Sequence, residues 1–526
     1  MTYIVKQKIH GKLYAYEVKG YWDSKKKQAR QKRRYLGVWD EKTGSVKQKE
    51  SERDVRTTKS YGPAYLLDRV SSELKLKQQL AASFGEDGAS ILALAMSKVI
   101  HPSALKHISH TMDDTMIGEV CGLTDELSSQ RLSELLERIA LNEKGMDSFH
   151  RKLVSPEDKK AMIYDITSLG SYSENISWFE YGDDYKKLDL AQVNLGVVMS
   201  VERKIPIYHK LFPGSVNDVV TLKNLITEVK QLGIQRGLFV LDRGFYSESN
   251  VEEMCKEEIE FVMPLPFSVK IGKESISETN IDIEDARYAR RYDKEILHVI
   301  KKDLEVGKQK LRAFILFSPK RKADEISSFY NRLMDIEAKL EGHRTFENAY
   351  DHFKRVAGDF QRFFEVKIDN RTIHLERKSK AISQASNRMG KMILLTTLQM
   401  TWNETLAIYR ERDSIEKVYD DLKNDLDVMP LRVRKVETLK GLIFIYFIAM
   451  ILRSILLQNL LKTTLSDKFS IEDILLDLGK LRAVHIGNSW KLTEITKRQR
   501  IIFEKLLIPV PIDVACMNLV IKNSGV

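Results

Sequence analysis

The sequence predicts an α/β protein built on a mixed sheet, preceded by a basic, β-rich region and followed by helices. Strand-like runs and helical patterns alternate as β-β-β-α-β-α-β within residues 156–265. A charged stretch, residues 266–400, interrupts this order before another amphipathic pattern begins. The chain has 526 residues, of which 43% are hydrophobic and 30% charged, which is enough for several domains with buried cores.

Residues 1–60 are predicted to be β-rich and basic. The runs at residues 13–19 and 32–39 are rich in the aromatic and β-branched side chains that strands favour. No acid occurs in residues 24–34, and we expect this connection to form a hairpin tip that contacts DNA phosphates by charge. A solvated loop would explain it nearly as well. The cations predicted to bind DNA are Lys25, Lys26, Lys27, Arg30, Arg33 and Arg34.

Residues 61–155 change to a helical pattern. Leu132, Leu135, Leu136 and Ile139 repeat at helical spacing behind Ser128, a suitable N-terminal cap. A helical domain that docks on DNA would have this pattern, and ordinary helical packing would have it too.

The α/β core is predicted in two parts, residues 156–265 and 401–465. Strands are expected at residues 162–169, 193–201, 205–212, 237–242 and 259–264, with helices starting near Asp218 and Ser247. Residues 266–400 are too long for a loop and predict an inserted domain. The apolar run at residues 441–452 is about half the ~20 residues of a membrane span, so it predicts a buried core helix. Residues 466–526 are expected to be helical.

Charge and cysteine content indicate the kind of partner and the cellular compartment of the protein. A formal net charge of +11 and a pI near 9.1 favour a polyanionic partner such as nucleic acid. Cys121, Cys255 and Cys516 lack the spacing of a metal site or a disulfide framework, which suits a reducing cytosol. The N-terminus has no apolar signal-peptide segment. We therefore expect a cytoplasmic protein.

Residues 409–423 predict a single amphipathic helix. Tyr409, Arg412, Glu416 and Lys423 would fall within about 60° of one another on its surface. A carboxylate among cationic donors suits a metal ion beside a nucleic-acid phosphate. A solvated helix with ordinary intrahelical ion pairs is the alternative.

Two further acids stand where strands would present them. Asp165 interrupts a β run, and Asp242 ends the strand at residues 238–241, just before Gly244. Sites in α/β sheets form at the carboxyl ends of strands. Together with Glu416, these acids could hold two Mg²⁺ ions for phosphoryl transfer. Alternatively, Asp165 makes a local cap or ion pair, and Asp242 merely terminates its strand.

These motifs resemble the DDE transposases of bacterial insertion sequences. Tyr409, Arg412, Glu416 and Lys423 match the Tyr-x2-Arg-x3-Glu-x6-Lys signature of one subgroup, and residues 242–246 match its Asp-x-Gly-x-Tyr/Phe motif. The resemblance covers residues 162–431. It implies an RNase H-like catalytic core that is split by the inserted domain.

The resemblance also implies the roles of the residues. Asp165, Asp242 and Glu416 would be the catalytic acids and would bind two Mg²⁺ ions, with Mn²⁺ as a substitute. Tyr409, Arg412 and Lys423 would grip DNA phosphate. The partners would be double-stranded DNA, as terminal inverted repeats and as target, and a second copy of the chain in the DNA complex. The setting would be the bacterial cytoplasm, on the nucleoid.

The roles of Trp402 and Asp218 have more than one interpretation, and two other functions are alternatives to transposition. Trp402 could stabilise a flipped base in a hairpin intermediate, or be a core tryptophan, and we assign Asp218 first to helix capping. A DNA-binding relic or repressor would keep the basic charge without catalysis. A nuclease on the same core would cleave without strand transfer.

Overall fold

The computed structural model describes most of the chain and divides it into two compact units. The first unit contains Met1–Leu66, Met112–Val120 and Asp467–Val526, and the second contains Leu67–Thr111 and Cys121–Ser466. The described residues are 2–9, 12–23, 27–40, 44–47, 55–104, 107–123, 127–173, 176–180, 190–234, 237–279, 282–344, 348–487 and 489–514.

The strands and helices are numbered in chain order. The strands are β1 (Thr2–Ile9), β2 (Lys12–Asp23), β3 (Gln28–Asp40), β4 (Ser45–Lys47), β5 (Val55–Ser60), β6 (Ala161–Ser171), β7 (Ala191–Ser200), β8 (Pro206–Pro213), β9 (Leu238–Leu241), β10 (Glu260–Pro264), β11 (Ala289–Tyr292), β12 (Glu295–Val306), β13 (Gln309–Phe317), β14 (Phe364–Asp369), β15 (Thr372–Arg377), β16 (Lys391–Thr396), β17 (Arg482–Ile486) and β18 (Ser489–Leu492). The α-helices are α1 (Gly62–Glu73), α2 (Leu76–Phe84), α3 (Asp87–Ile100), α4 (Ile108–Asp114), α5 (Ile117–Cys121), α6 (Ser129–Leu141), α7 (Glu143–Leu153), α8 (Asp218–Gln231), α9 (Glu248–Lys256), α10 (Lys270–Thr279), α11 (Pro319–Leu340), α12 (Ala349–Ala357), α13 (Ser379–Ser386), α14 (Trp402–Arg410), α15 (Asp413–Asp420), α16 (Val436–Leu461), α17 (Ile471–Gly479) and α18 (Lys497–Lys505).

The first unit contains two antiparallel sheets. One has the strand order β1-β2-β3-β4, and the other has the order β18-β17-β5. The expectation that residues 466–526 are helical is wrong where β17 and β18 form a hairpin beside β5. This hairpin escaped prediction because its partner strand lies more than 400 residues away in sequence.

A nine-stranded mixed sheet forms the centre of the second unit. Its order is β11-β12-β13-β16-β10-β9-β6-β7-β8. The central pairs β6–β9 and β9–β10 are parallel, whereas β6, β7 and β8 run antiparallel to one another. The strands and helices predicted between residues 162 and 264 occur within a few residues of their expected positions. The predicted α/β class with a mixed sheet is therefore confirmed.

Residues 266–400 contribute to this sheet and also form a cluster of their own. Strands β11, β12, β13 and β16 extend the sheet at one edge. Helices α11, α12 and α13 pack with the β14–β15 hairpin around buried Leu333, Ile336 and Phe353. The domain boundaries given above stay predictions.

Helix α16 is the long core helix of the second unit. Ile443, Phe444 and Phe447 in it are fully buried, as the apolar pattern predicted. By length and composition this helix could cross a membrane, but 89% of its most apolar window is buried inside the protein. Gly441 is needed for close packing, because a Cβ there would lie 2.1 Å from the carbonyl oxygen of Leu136 on α6.

Candidate active site

Asp165 and Asp242 lie side by side at the middle of the large sheet. Strands β6 and β9 are parallel neighbours in which Tyr164 is level with Leu241. Asp165 comes directly after Tyr164, and Asp242 comes directly after Leu241, so the two aspartates lie next to each other on neighbouring strands. The structure thus brings together two acids that are 77 positions apart in sequence, Asp165 within β6 and Asp242 directly after the end of β9.

The helix that carries Glu416 is broken, so the prediction of one continuous helix is wrong. Helix α14 ends at Arg410 and α15 begins at Asp413. Between them the amide of Arg412 donates to the carbonyl of Tyr409, three residues back, at 3.1 Å. Such three-residue spacing is a tighter turn than an α-helix makes. After α15 the chain continues as a π-helical turn, Asp421–Asp425.

Arg412 connects the acids that come from different elements. Its guanidinium lies 3.4 Å from the carboxylate of Asp242 and 2.5 Å from that of Glu416. It also lowers the pKa of Asp165 through its charge. All three predicted catalytic acids therefore interact with one guanidinium, despite the break in the helix.

The carboxyl of Asp165 is difficult to ionise in this setting. Burial raises its pKa to about 7, and the negative charges of Asp242 and Asp218 act in the same direction. Arg412 and a hydrogen bond from the Ile166 backbone oppose the increase. Strongly shifted carboxyls with specific charged neighbours are typical of functional sites. The Asp165 backbone is fixed as well, because the Tyr419 hydroxyl donates to its carbonyl at 2.6 Å.

Asp218 is an acid of this site that the sequence assigned to another role. The N-terminal cap of α8 is Asn217, whose side chain accepts from the Val220 amide at 3.2 Å. The capping role given to Asp218 is therefore wrong. A Cβ on Gly244 would lie 2.6 Å from the carboxylate of Asp218, which places this carboxylate beside the turn after Asp242. Both neighbours are good caps, so the sequence could not separate them.

The other residues of the predicted column lie in different surroundings. Tyr409 is half-buried and packs against apolar residues of the sheet, and this burial raises its pKa to about 12. Lys423 is half-buried on the π-helical turn. Trp402 packs against Tyr292 with ring centroids 5.9 Å apart and contacts the cluster around Leu297. These contacts favour the core role for Trp402.

A buried cation holds the π-helical turn. Arg453 on α16 is 3% exposed and pairs with Asp421, at 3.5 Å, and with Asp425. The pKa of Asp421 is raised to about 6, chiefly by burial. Lys423 lies between these two acids in sequence, so the ion pairs fix the segment that carries it.

The acids supply oxygen ligands, which Mg²⁺ prefers. Among the residues that the structure describes, no three His, Cys, Asp or Glu side chains form a ready metal-binding group. The group that lies beside Asp242 and Glu416 is the guanidinium of Arg412. The donor set fits a hard divalent cation, because every candidate ligand at this cluster is a carboxylate, from Asp165, Asp242 and Glu416.

A cleft of about 680 Å³ opens beside Asp242 and Arg412. Its cationic lining has no local signal in the sequence, because these side chains converge from the sheet, α11 and α14. Six cations outnumber the four acids of the lining, which are Asp242, Glu295, Asp324 and Asp413. Some of the cations are partly neutralised: Arg410 and Lys320 both pair with Glu295, at 3.7 and 3.6 Å. A polyanion could lie here beside the acids. The cations in the lining are Arg243, Lys320, Arg321, Lys391, Arg410 and Arg412.

Among the predicted DNA-binding cations that the structure describes, three lie along a strand rather than at the hairpin tip. Strand β3 begins at Gln28, so Arg30, Arg33 and Arg34 are exposed strand residues. Lys27 is exposed in the turn, whereas Lys25 and Lys26 lie outside the described residues. Of the cysteines, Cys255 is a free thiol, the Cys121 thiol donates to the sulfur of Met96 at 3.7 Å, and Cys516 is outside the described residues.

Comparison with known proteins identifies the class. Residues 156–452, more than half of the chain, match the transposase DDE domain family, so the chain belongs to this family of transposases. A solved structure of piggyBac transposase, in a synaptic complex with hairpin DNA, is similar at 12% identity and a TM-score of 0.36. The similarity covers 80% of this chain and 76% of that one. No curated protein matches the chain.

Proposed function

We propose that this chain is an active DNA transposase with Asp165, Asp242 and Glu416 as its catalytic acids. The observation that carries the proposal is that Arg412 pairs with both Asp242 and Glu416, next to the strand position of Asp165 and inside the matched transposase domain. The sheet that presents Asp165 and Asp242 would be an RNase H-like core. The chain would act on the terminal inverted repeats of its own element, in a bacterial cytoplasm.

The acids would hold two Mg²⁺ ions, which Mn²⁺ could replace. When bound, such ions activate water and stabilise the attacking and leaving oxygens of phosphoryl transfer. The chain's own residues would position the DNA. Arg412 would contact a phosphate with its fork of donors, and Lys423 would add a point charge. The cationic cleft beside Asp242 would accommodate the DNA backbone.

The reaction would have two phosphoryl-transfer steps. Water first attacks a phosphodiester at the element end, which releases a 3′-hydroxyl. That hydroxyl then attacks a phosphate of target DNA, forming one phosphodiester as another breaks. We expect two copies of the chain to hold the two element ends.

A cleavage assay with separate acid variants tests the proposal. The substrate is duplex DNA copied from the flanks of the gene, with its terminal inverted repeats, in Mg²⁺ or Mn²⁺. We expect Asp165→Asn and Glu416→Gln each to reduce cleavage by about 10³-fold or more, because each removes a ligand charge from the site. Glu411→Gln is the matched control, because Glu411 lies near Glu416 but pairs with Lys204 at 3.1 Å.

The outcomes separate the competing functions. Equal cleavage by the parent and both acid variants would show that the site assignment is wrong. End binding without metal-dependent cleavage by the parent would favour a DNA-binding relic or repressor. Cleavage without joining of precut ends to target DNA would favour a nuclease.

A further inference from the structure

The sheet of β1, β2 and β3 has two chemically different faces. Residues directly opposite in antiparallel strands share a face, and successive residues alternate between faces. Lys19 is opposite Lys32, and Glu17 is opposite both Ile4 and Arg34. Arg33, the neighbour of Arg34, is opposite Val18 and lies on the other side. The register therefore assigns each N-terminal cation to one face.

We call the first face the basic face. Its exposed cations outnumber its acids six to one among the side chains that the structure describes, the acid being Glu17. Lys6 lies over the ring of Trp39 at 3.7 Å, which confirms that β1 and β3 present these residues on the same side. The cations of the basic face are Lys6, Lys8, Lys19, Arg30, Lys32 and Arg34.

The opposite face is aromatic, and we call it the aromatic face. Arg33 is its one described cation on these strands. Tyr35 packs against Tyr14 and Tyr16 with centroid distances of 6.1 and 5.5 Å, and Tyr3 accepts from the Gln31 side chain at 3.1 Å. The contacts given for these tyrosines are with other rings and with the uncharged Gln31 side chain.

We propose that the basic face is a docking surface for duplex DNA. This inference rests on the proposed function, because it assumes that DNA is the polyanion. Strands lie about 4.8 Å apart, so three strands span roughly 10 Å, which is compatible with the ~12 Å width of the DNA major groove. Other proteins read DNA with strands laid in a groove. The long cations along the basic face would then reach phosphates on both sides.

The proposal separates the N-terminal cations that face the DNA from those that do not, which composition alone cannot do. Lys19 and Lys32, which were not among the predicted DNA-binding residues, belong to the docking surface, together with Lys6 and Lys8. Arg33, which was among them, does not belong to it.

Two adjacent arginines provide the test. Both Arg33 and Arg34 are exposed on β3, so Arg33→Gln and Arg34→Gln remove the same charge from opposite faces. Binding of labelled flank-derived duplex is measured by fluorescence anisotropy across a salt series, in EDTA, with the full chain. Each lost phosphate contact should reduce the slope of log K against log salt by about 0.9. We expect this for Arg34→Gln and no change for Arg33→Gln.

A combined variant and a separate activity readout complete the design. Lys19→Gln/Lys32→Gln/Arg34→Gln should lose roughly three such units of slope while keeping the far-ultraviolet circular dichroism of the parent. Equal slopes for the two single variants, or an unchanged slope for the triple variant, would overturn the proposal. Binding in EDTA does not depend on cleavage. A parent that binds with the expected slopes but never cleaves would refute the proposed activity and leave the docking surface supported.

Discussion

Asp165 on β6 and His209 on β8 lie at the same level of the large sheet, and Val197 on the intervening strand β7 separates them. Both are titratable and both are largely shielded from water, but their surroundings differ. Asp165 interacts with the charges of Asp242, Asp218 and Arg412. His209 instead contacts His150 and stacks on Phe447 with a centroid distance of 4.5 Å.

This difference distinguishes the candidate active site from a polar pair in the core. The histidine pair is joined by a 3.0 Å contact between Nε2 of His150 and Nδ1 of His209, and burial lowers the pKa of both rings. A neutral pair enclosed by aromatic rings is part of the core. The candidate site therefore differs from this histidine pair in its charged neighbours more than in its burial.

A large loss of stability is expected at Arg453, a buried cation that pairs with two acids of the π-helical turn. Arg453→Met would leave Asp421 and Asp425 without this cation. Breaking a buried pair costs about 3–5 kcal/mol, and we expect the lower end because Asp425 is partly exposed. Urea unfolding measures the loss.

A rescue variant distinguishes electrostatics from packing. Adding Asp421→Asn and Asp425→Asn to Arg453→Met should recover much of the stability, because no unpaired charge remains. DNA affinity should stay reduced if the π-helical turn positions Lys423. Failure of the rescue would assign the loss to the shape of the Arg453 side chain.

The next effect is a pH dependence that comes from the histidine pair. The pKa of His209 is lowered to about 3 and that of His150 falls well below its usual value. The unfolded chain therefore takes up protons first as the pH falls below about 6.5, and the free energy of unfolding declines from there towards about pH 3. For His209 this contribution is up to about 2 kcal/mol between about pH 7 and pH 5, and His150 acts in the same direction.

Substitution of the pair measures this contribution. His150→Leu/His209→Leu should reduce the slope of unfolding free energy against pH between about pH 6.5 and pH 5, whatever its stability at neutral pH. Its cleavage of element ends, measured below its melting temperature, should match the parent. An unchanged slope would show that these histidines titrate normally, and a specific loss of cleavage would assign them to the reactive site.

The sequence predicted the elements of the site better than their connections. Strand patterns around Asp165 and Asp242 are local, and both acids lie at strand positions as expected. The break before Arg412 and the π-helical turn were not predictable, because ion pairs to Asp242 and from Arg453 stabilise them across the fold. The His150–His209 contact has no local signal for the same reason. The two faces of the N-terminal sheet depend on register, which composition does not give.

The stability change expected for Asp165→Asn has an unusual sign. With no metal bound, the raised pKa means that the folded state holds its proton up to about pH 7, while the unfolded state loses it near pH 4. The free energy of unfolding should therefore fall as the pH rises through this window and stay lower above it. Asparagine cannot ionise, so the variant should be more stable than the parent at pH 8 in EDTA, by up to about 4 kcal/mol if its amide keeps the contacts of the protonated carboxyl.

Asp158→Asn is the matched control for this gain. Asp158 is fully buried but has partners, because it accepts from Arg203 at 2.8 Å and from the Ser155 amide at 2.7 Å. Its neutralisation would leave Arg203 poorly compensated and should destabilise the protein. Urea unfolding of both variants at pH 5.5 and pH 8 compares them. A loss of stability for Asp165→Asn at pH 8 would mean that the Asp165 carboxylate stabilises the fold. A gain would mean that this carboxylate destabilises the fold, as expected for an acid whose role is chemical rather than structural.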